Sequence, residues 1–172
     1  MKKIILASGS PRRRELLTQI GIDFDVVTSN AEEIITRIYP QDIVCELSCL
    51  KAKAVYNMLK EPQKDIDNSV IIGADTIVYC DGEILGKPAD KEEAREMIYK
   101  LQGKSHMVYT GVTVIAKSDD MVSASSFAEG TKVNVAPMTE NEIEAYISTE
   151  EPYDKAGAYG IQGLFGKFIE GI

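Results

Sequence analysis

Ser69-Val70-Ile71-Ile72-Gly73-Ala74-Asp75-Thr76-Ile77-Val78-Tyr79-Cys80-Asp81-Gly82-Glu83-Ile84-Leu85 is the stretch that decides the fold. Residues 69–80 are rich enough in β-branched side chains to read as one long strand covered on both faces. Asp81-Gly82 is a pair that a tight hairpin turn favours, so Glu83-Ile84-Leu85 reads as the returning strand. Upstream, residues 3–7 form a strand. Ser10 caps and Pro11 begins a helix whose apolar stripe is Leu16, Leu17 and Ile20, with Gly21 as its stop. A second strand is expected at 23–28, a polar loop from Asn30 to Tyr39, and a helix at 41–60 before a turn rich in proline and charge. Downstream come a helix at 90–101, strands at 106–117 and 124–135 joined around Ser118-Asp119-Asp120, a short helix at 139–149, and a glycine-rich tail from Glu151. The order is mixed α/β with antiparallel hairpins.

No internal repeat and no glycine-, serine- or proline-rich linker divides the chain, and 172 residues suit one hydrophobic core, so a single domain over 1–172 is expected. A hydrophobic share of 44% with 27% charged residues is that of a globular protein. The net charge of -8 would repel a polyanion, which argues against DNA or RNA as partner. Ile4-Ile5-Leu6-Ala7 is too short for an export signal or membrane span, so a cytoplasmic protein with no membrane partner is expected. Cys45, Cys49 and Cys80 then read as reduced thiols. With His106 they lack the paired C-x2-C spacing of a zinc site.

Three features do not fit a purely structural role. Arg12-Arg13-Arg14 fill the first turn of a helix, where the dipole disfavours positive charge by about 0.3–1 kcal/mol per residue. The free amides there attract anions, and the arginines make the junction a phosphate site, with a solvated basic patch as the alternative. No P-loop or dinucleotide fingerprint is present. Lys51 falls on a helical stripe with Val44, Leu47, Ala54, Val55 and Met58, where it either snorkels or meets an anion; Lys53 points away. Asp75 lies inside the apolar strand and needs a cation, a metal or a raised pKa, a local salt bridge being the alternative. Glu32 and Glu33 are further acids for a hard-metal site. The glycines of Asp154-Lys155-Ala156-Gly157-Ala158-Tyr159-Gly160-Ile161-Gln162-Gly163 permit close approach of a ligand, with Lys155 and Gln162 as polar ends.

Ser8-Gly9-Ser10-Pro11-Arg12-Arg13 with Glu15-Leu16-Leu17, Gly73-Ala74-Asp75-Thr76, Leu85-Gly86-Lys87-Pro88, and Glu151-Pro152 running into 154–163 resemble, in order and spacing, the Maf family of nucleotide pyrophosphatases, first named for a link to septum formation. The resemblance runs from Ile4 to Ile169. It implies an elongated mixed sheet with flanking helices, two lobes around a deep cleft, similar to the inosine triphosphate pyrophosphatase architecture. It implies that Asp75 is the catalytic acid, a general base on water or a metal ligand, with Glu33 beside the metal, Mg2+ or Mn2+. Ser8, Arg12, Arg13, Lys51 and Lys87 match phosphate-side residues. Arg12, Thr76 and Gln162 match the branch acting on uridine and thymidine triphosphates, whereas the 7-methyl-GTP branch carries tryptophan in place of Arg12. Members usually continue past Glu170-Gly171-Ile172, so a family C-terminal segment is expected to lie beyond this sequence.

The chemistry agrees. A triphosphate brings about four negative charges, which the cationic side chains and one metal ion would neutralise while water attacks the α-phosphorus and expels pyrophosphate. The expected partner is a small nucleotide, with a homodimer as the assembly to test and a house-cleaning or division-linked role. The alternatives are a non-catalytic nucleotide-binding regulator of septum formation and 7-methyl-GTP specificity; Asp75 and Lys87 weigh against the first.

Overall fold

The computed structural model describes residues 2–30, 32–60, 66, 68–118 and 121–172. The long strand forms as the sequence predicts, from Ser69 to Cys80. In chain order the described strands are β1 (Lys3–Ala7), β2 (Asp25–Val26), β3 (Ser69–Cys80), β4 (Glu83–Leu85), β5 (Ser105–Ser118), β6 (Met121–Val135) and β7 (Ile169–Gly171). The helices are α1 (Pro11–Gln19), α2 (Pro40–Leu59), α3 (Lys91–Leu101) and α4 (Glu140–Ile147). The strands form one mixed sheet in the order β2-β1-β3-β5-β6-β7, with β4 paired to β3.

β1 runs parallel to β2 and to β3, with Ala7 beside Gly73. β4 returns antiparallel to β3, and the turn between them places Asp81 at φ 50 and Gly82 at φ 87, the positive pair of a type I′ hairpin. The turn after α2 and the turn at Asp119-Asp120 lie outside the described residues.

The backbone clusters into two compact units, Met1–Asp75 with Thr110–Glu129, and Thr76–Tyr109 with Gly130–Ile172. The first unit buries Ile5, Ala7, Ala52, Val55, Ile66, Ile71 and Ile115. The second has the larger core, in which Ile98, Leu101, Ile143, Ile147 and Phe165 are essentially inaccessible. Its helices are well capped. Asp90 accepts from Glu93 N–H, and Thr139 and Glu142 form a reciprocal capping box on α4.

Several local expectations change. β2 is only two residues long. α1 buries none of its side chains, and Leu16 and Ile20 of its expected apolar stripe are exposed. Ser10 sits at its N-cap but makes no side-chain cap; Ser8 Oγ instead accepts from Ser10 N–H at 3.3 Å. Gly21 does stop the helix at φ 73, with Gly21 and Ile22 N–H donating to Thr18 and Leu17 carbonyls. On α2 the buried stripe is Ile43, Val44, Leu47, Ser48, Ala52 and Val55, so Met58 faces out and Lys51 flanks the stripe.

Two glycines decide how α2 lies within the first unit. A Cβ on Gly73 of β3 would strike the Ser48 carbonyl and come within 2.8 Å of Ala52 Cβ; a Cβ on Gly111 of β5 would strike the Val44 carbonyl. Only glycine at both positions allows helix backbone to rest directly on strand backbone. Ser48 Oγ and Thr113 Oγ1, both wholly buried, meet at 2.8 Å beside this contact and satisfy each other.

Candidate active site

Asp75 is the residue that the apolar strand carries into the interior, 8% exposed, two positions after Gly73. The close approach of α2 brings Lys51 to it, and Lys51 Nζ donates to Asp75 Oδ1. The same ammonium reaches Glu33 Oε1 at 3.0 Å from the loop before α2. Two carboxylates from separate segments therefore converge on one cation. The ammonium has three N–H donors, and these contacts engage two of them. The cation that a buried Asp75 requires is Lys51, and the choice left open for Lys51 resolves to an ion pair rather than to snorkelling. Lys53 is exposed, as its helical position predicts.

The three arginines take separate roles. Arg13 Nη1 donates to Ser8 Oγ at 2.9 Å and to the Ala74 carbonyl at 2.8 Å, tying the end of β1 to the residue before Asp75. Burial draws its guanidinium below the ordinary arginine value, opposed by the negative field of Asp75 and Glu33. Arg12 is partly exposed and pairs with Glu15 at 3.3 Å, and Arg14 donates to the Gly9 carbonyl at 3.0 Å. The structure thus joins Ser8, Arg13, Lys51, Asp75 and Glu33, and leaves Arg12 at the rim of α1. Sequence spacing treats neighbouring arginines alike; only tertiary contacts separate them.

Lys87, Thr76 and Gln162 belong to the second unit. Thr76 is half-buried on β3, directly after Asp75, while Lys87 is exposed in the loop after β4. Gln162 is exposed in a turn closed by Gly163 N–H to the Gly160 carbonyl at 3.2 Å. Gly157 N–H donates to the Gly86 carbonyl at 2.9 Å, so the loops carrying Lys87 and Gln162 are joined. Gly157 adopts φ 67 and packs on Val78, where a Cβ would come within 3.0 Å.

Sequence reasoning missed a buried pair nearby. His106 Nε2 and Tyr159 Oη lie 2.5 Å apart, and burial lowers the histidine to about 4 and raises the phenol. A tyrosine inside a glycine-rich tail was the one available signal.

Asp75 and Glu33 fit the donor set of Mg2+ or Mn2+, which bind one or two carboxylates and take their remaining ligands from phosphate and water. Among the described residues no group of three or more histidine, cysteine, aspartate or glutamate side chains could hold a metal by protein alone, the zinc alternative included. No described helix is long and apolar enough to cross a membrane.

A mixed α/β sheet with an acid in the middle of a buried strand paired to a cation, beside an arginine-bearing helix N-terminus, suits chemistry on phosphates. Residues 3–172 match the Maf-like protein family, and the chain belongs to that family. It is 49% identical over 173 residues to the dTTP/UTP pyrophosphatase of Lachnoclostridium phytofermentans, covering 100% of this chain and 85% of that protein. It is 47% identical to the dTTP/UTP pyrophosphatase of Bacillus anthracis and 48% to that of Bacillus cereus, covering 85% and 80% of them. Among solved structures, the Staphylococcus aureus Ham1 protein aligns with a TM-score of 0.48 at 18% identity, covering 78% of this chain and 72% of that one.

Proposed function

We propose that this chain hydrolyses nucleoside triphosphates, uridine and thymidine triphosphates foremost, to the monophosphate and pyrophosphate. The convergence of Lys51 on Asp75 and Glu33 carries the reading, and the dTTP/UTP pyrophosphatase names of its relatives support the substrate class. Water attacks the α-phosphorus, the bond from that phosphorus to the bridging oxygen breaks, and pyrophosphate leaves with the electron pair. Asp75 accepts a proton from the attacking water.

Lys51 has one donor beyond its two carboxylate contacts, which it can turn to a phosphate oxygen as charge grows there. Arg12 is assigned to the phosphates as the arginine free to swing away from Glu15, while Arg13, braced on Ser8, holds β3 at Ala74 next to Asp75 and lends positive field. Lys87 is assigned to the phosphates, and Thr76 and Gln162 to the base. Gln162 can both donate and accept, which suits the alternating groups on a uracil or thymine edge. A divalent metal at Asp75 and Glu33 would neutralise phosphate charge when bound. The cytoplasm is the proposed location, in keeping with three free thiols.

The test is pyrophosphate release from a panel of nucleoside triphosphates with Mg2+ or Mn2+. Turnover of UTP and dTTP is expected, and removal of metal by chelation should stop it. Binding without turnover would favour a regulator, and a kcat/KM for GTP or 7-methyl-GTP at or above that for UTP would overturn the pyrimidine assignment.

A further inference from the structure

Glu151 spends a half-buried carboxylate on backbone rather than on a cation. Its Oε2 accepts from Leu164 N–H at 2.6 Å, and its Oε1 from Phe165 N–H and the Tyr146 hydroxyl, each at 3.3 Å. The single Tyr146 hydroxyl proton is shared between that carboxylate and the Ala158 carbonyl, 3.0 Å away, so it links the carboxylate to the middle of the same loop. Lys155 Nζ donates to the Glu151 carbonyl at 2.9 Å from within the loop. A Cβ on Gly163 would fall on the Glu151 carboxylate, so the fit depends on glycine there. Between these anchors, Gly160 to Gly163 form a turn with Ile161 and Gln162 at its two central positions, both exposed.

The turn displaying Gln162 has little packing of its own: its central side chains face solvent, and its one internal hydrogen bond is Gly163 N–H to Gly160. Lys155 lies against Gly160, Gly166 N–H donates to the Gly163 carbonyl at 3.0 Å, and the strongest hold is on the residue that follows, Leu164, whose N–H is held by a charged acceptor, since hydrogen bonds to a charged group are shorter and stronger than neutral ones. We infer that Glu151 is a positioning residue for the base-reading step: by clamping Leu164 and Phe165 N–H it sets the Gly160–Gly163 turn and aims Gln162. This rests on the assignment of Gln162 to the base. A hydrogen-bonded selectivity group must be held in place, because a displaced amide satisfies neither the right base nor the wrong one.

The experiment measures kcat/KM for UTP and GTP in the full chain and in Glu151→Gln, Tyr146→Phe, Gln162→Ala and the Glu151→Gln/Gln162→Ala pair. An amide keeps the size of the carboxylate but sets an NH2 group against a backbone N–H. Glu151→Gln is expected to lower the UTP to GTP ratio about tenfold, within the range hydrogen-bonded discrimination supplies. Tyr146→Phe, which removes one donor to the clamp, shifts the ratio the same way by less. Adding Glu151→Gln to Gln162→Ala should leave the ratio where Gln162→Ala alone puts it, because both act through one side chain. If Gln162→Ala changes the ratio and Glu151→Gln lowers only the Tm, Glu151 is structural and the inference is overturned. Additive effects in the pair overturn it too. Should Glu151→Gln not fold, Tyr146→Phe decides, and an unmoved ratio counts against the clamp. A ratio that Gln162→Ala does not move removes the assignment of Gln162 and this inference with it.

Discussion

Lys51 and Asp75, 24 positions apart in sequence, form an ion pair because Gly73, two residues before the acid, lets the backbone of α2 rest on β3. The register is fixed twice, since Gly111 on β5 accepts the same helix at Val44. The pairing of acid and base is therefore set by strand glycines rather than by either charged residue.

Asp75→Asn should abolish hydrolysis without unfolding the protein. The amide fills the same space, and Lys51 keeps Glu33 at 3.0 Å as a partner. Losing the proton acceptor is expected to cost at least ~10^2-fold in kcat. Turnover above about a tenth of wild type, measured as pyrophosphate release, would remove Asp75 from the mechanism.

Gly73→Ala tests the packing that builds the pair. The added methyl meets the Ser48 carbonyl and Ala52, so α2 must shift or the core must strain, at a cost of about 1–3 kcal/mol. Because Lys51 moves with the helix, kcat should fall as well, although no charged group was touched. A variant with wild-type urea midpoint and wild-type kcat would show that the contact is slack.

Arg12→Ala and Arg13→Ala should separate cleanly. Arg12 is partly exposed with one surface partner, so its loss should change stability by less than about 0.5 kcal/mol and act on KM. Arg13 is half-buried and bonds Ser8 Oγ and the Ala74 carbonyl, so its removal takes a donor from each, although Ser8 Oγ keeps Ser10 N–H, and should cost about 1–3 kcal/mol of stability along with kcat. Paired urea melts and kinetics check this. Equal behaviour of the two variants would return them to one undivided basic patch.

Much of this was legible in the sequence. The β-branched run and Asp81-Gly82 gave β3, the turn and β4 to the residue, because strand period and a two-residue turn are local properties. Asp75 and Lys51 stood out because each breaks the pattern of its own element. That they face each other was not legible, because it depends on a helix-to-strand contact that no periodicity encodes. Nor was the solvent-facing stripe of α1, where Leu16 and Ile20 satisfy the helical spacing yet meet no core. Glu151 was hidden for a similar reason. Its partners are backbone amides more than ten positions away, which carry no side-chain signal.

His106 should make the second unit sensitive to acid. Its ring is 3% exposed, bonded to Tyr159 through Nε2, while Nδ1 has no partner among the described residues. The doubly protonated ring carries a donor at Nδ1 with nothing among the described residues to receive it, and burial lowers the group from 6.5 to about 4. The folded state thus holds the neutral ring while the unfolded chain takes up a proton below 6.5. Between those values the unfolded state binds more protons, so stability rises with pH there, is fully present above about 6.5, and is lost as pH falls toward 4. The full difference is on the order of 3 kcal/mol, with roughly 2 kcal/mol of it gone by about pH 5. His106→Gln, which cannot titrate in this window, should lose correspondingly less stability than wild type between pH 7.5 and 5, read from urea midpoints at both values. The comparison with wild type cancels the carboxylates common to both proteins, so an equal acid loss in the two would mean that His106 does not carry the effect.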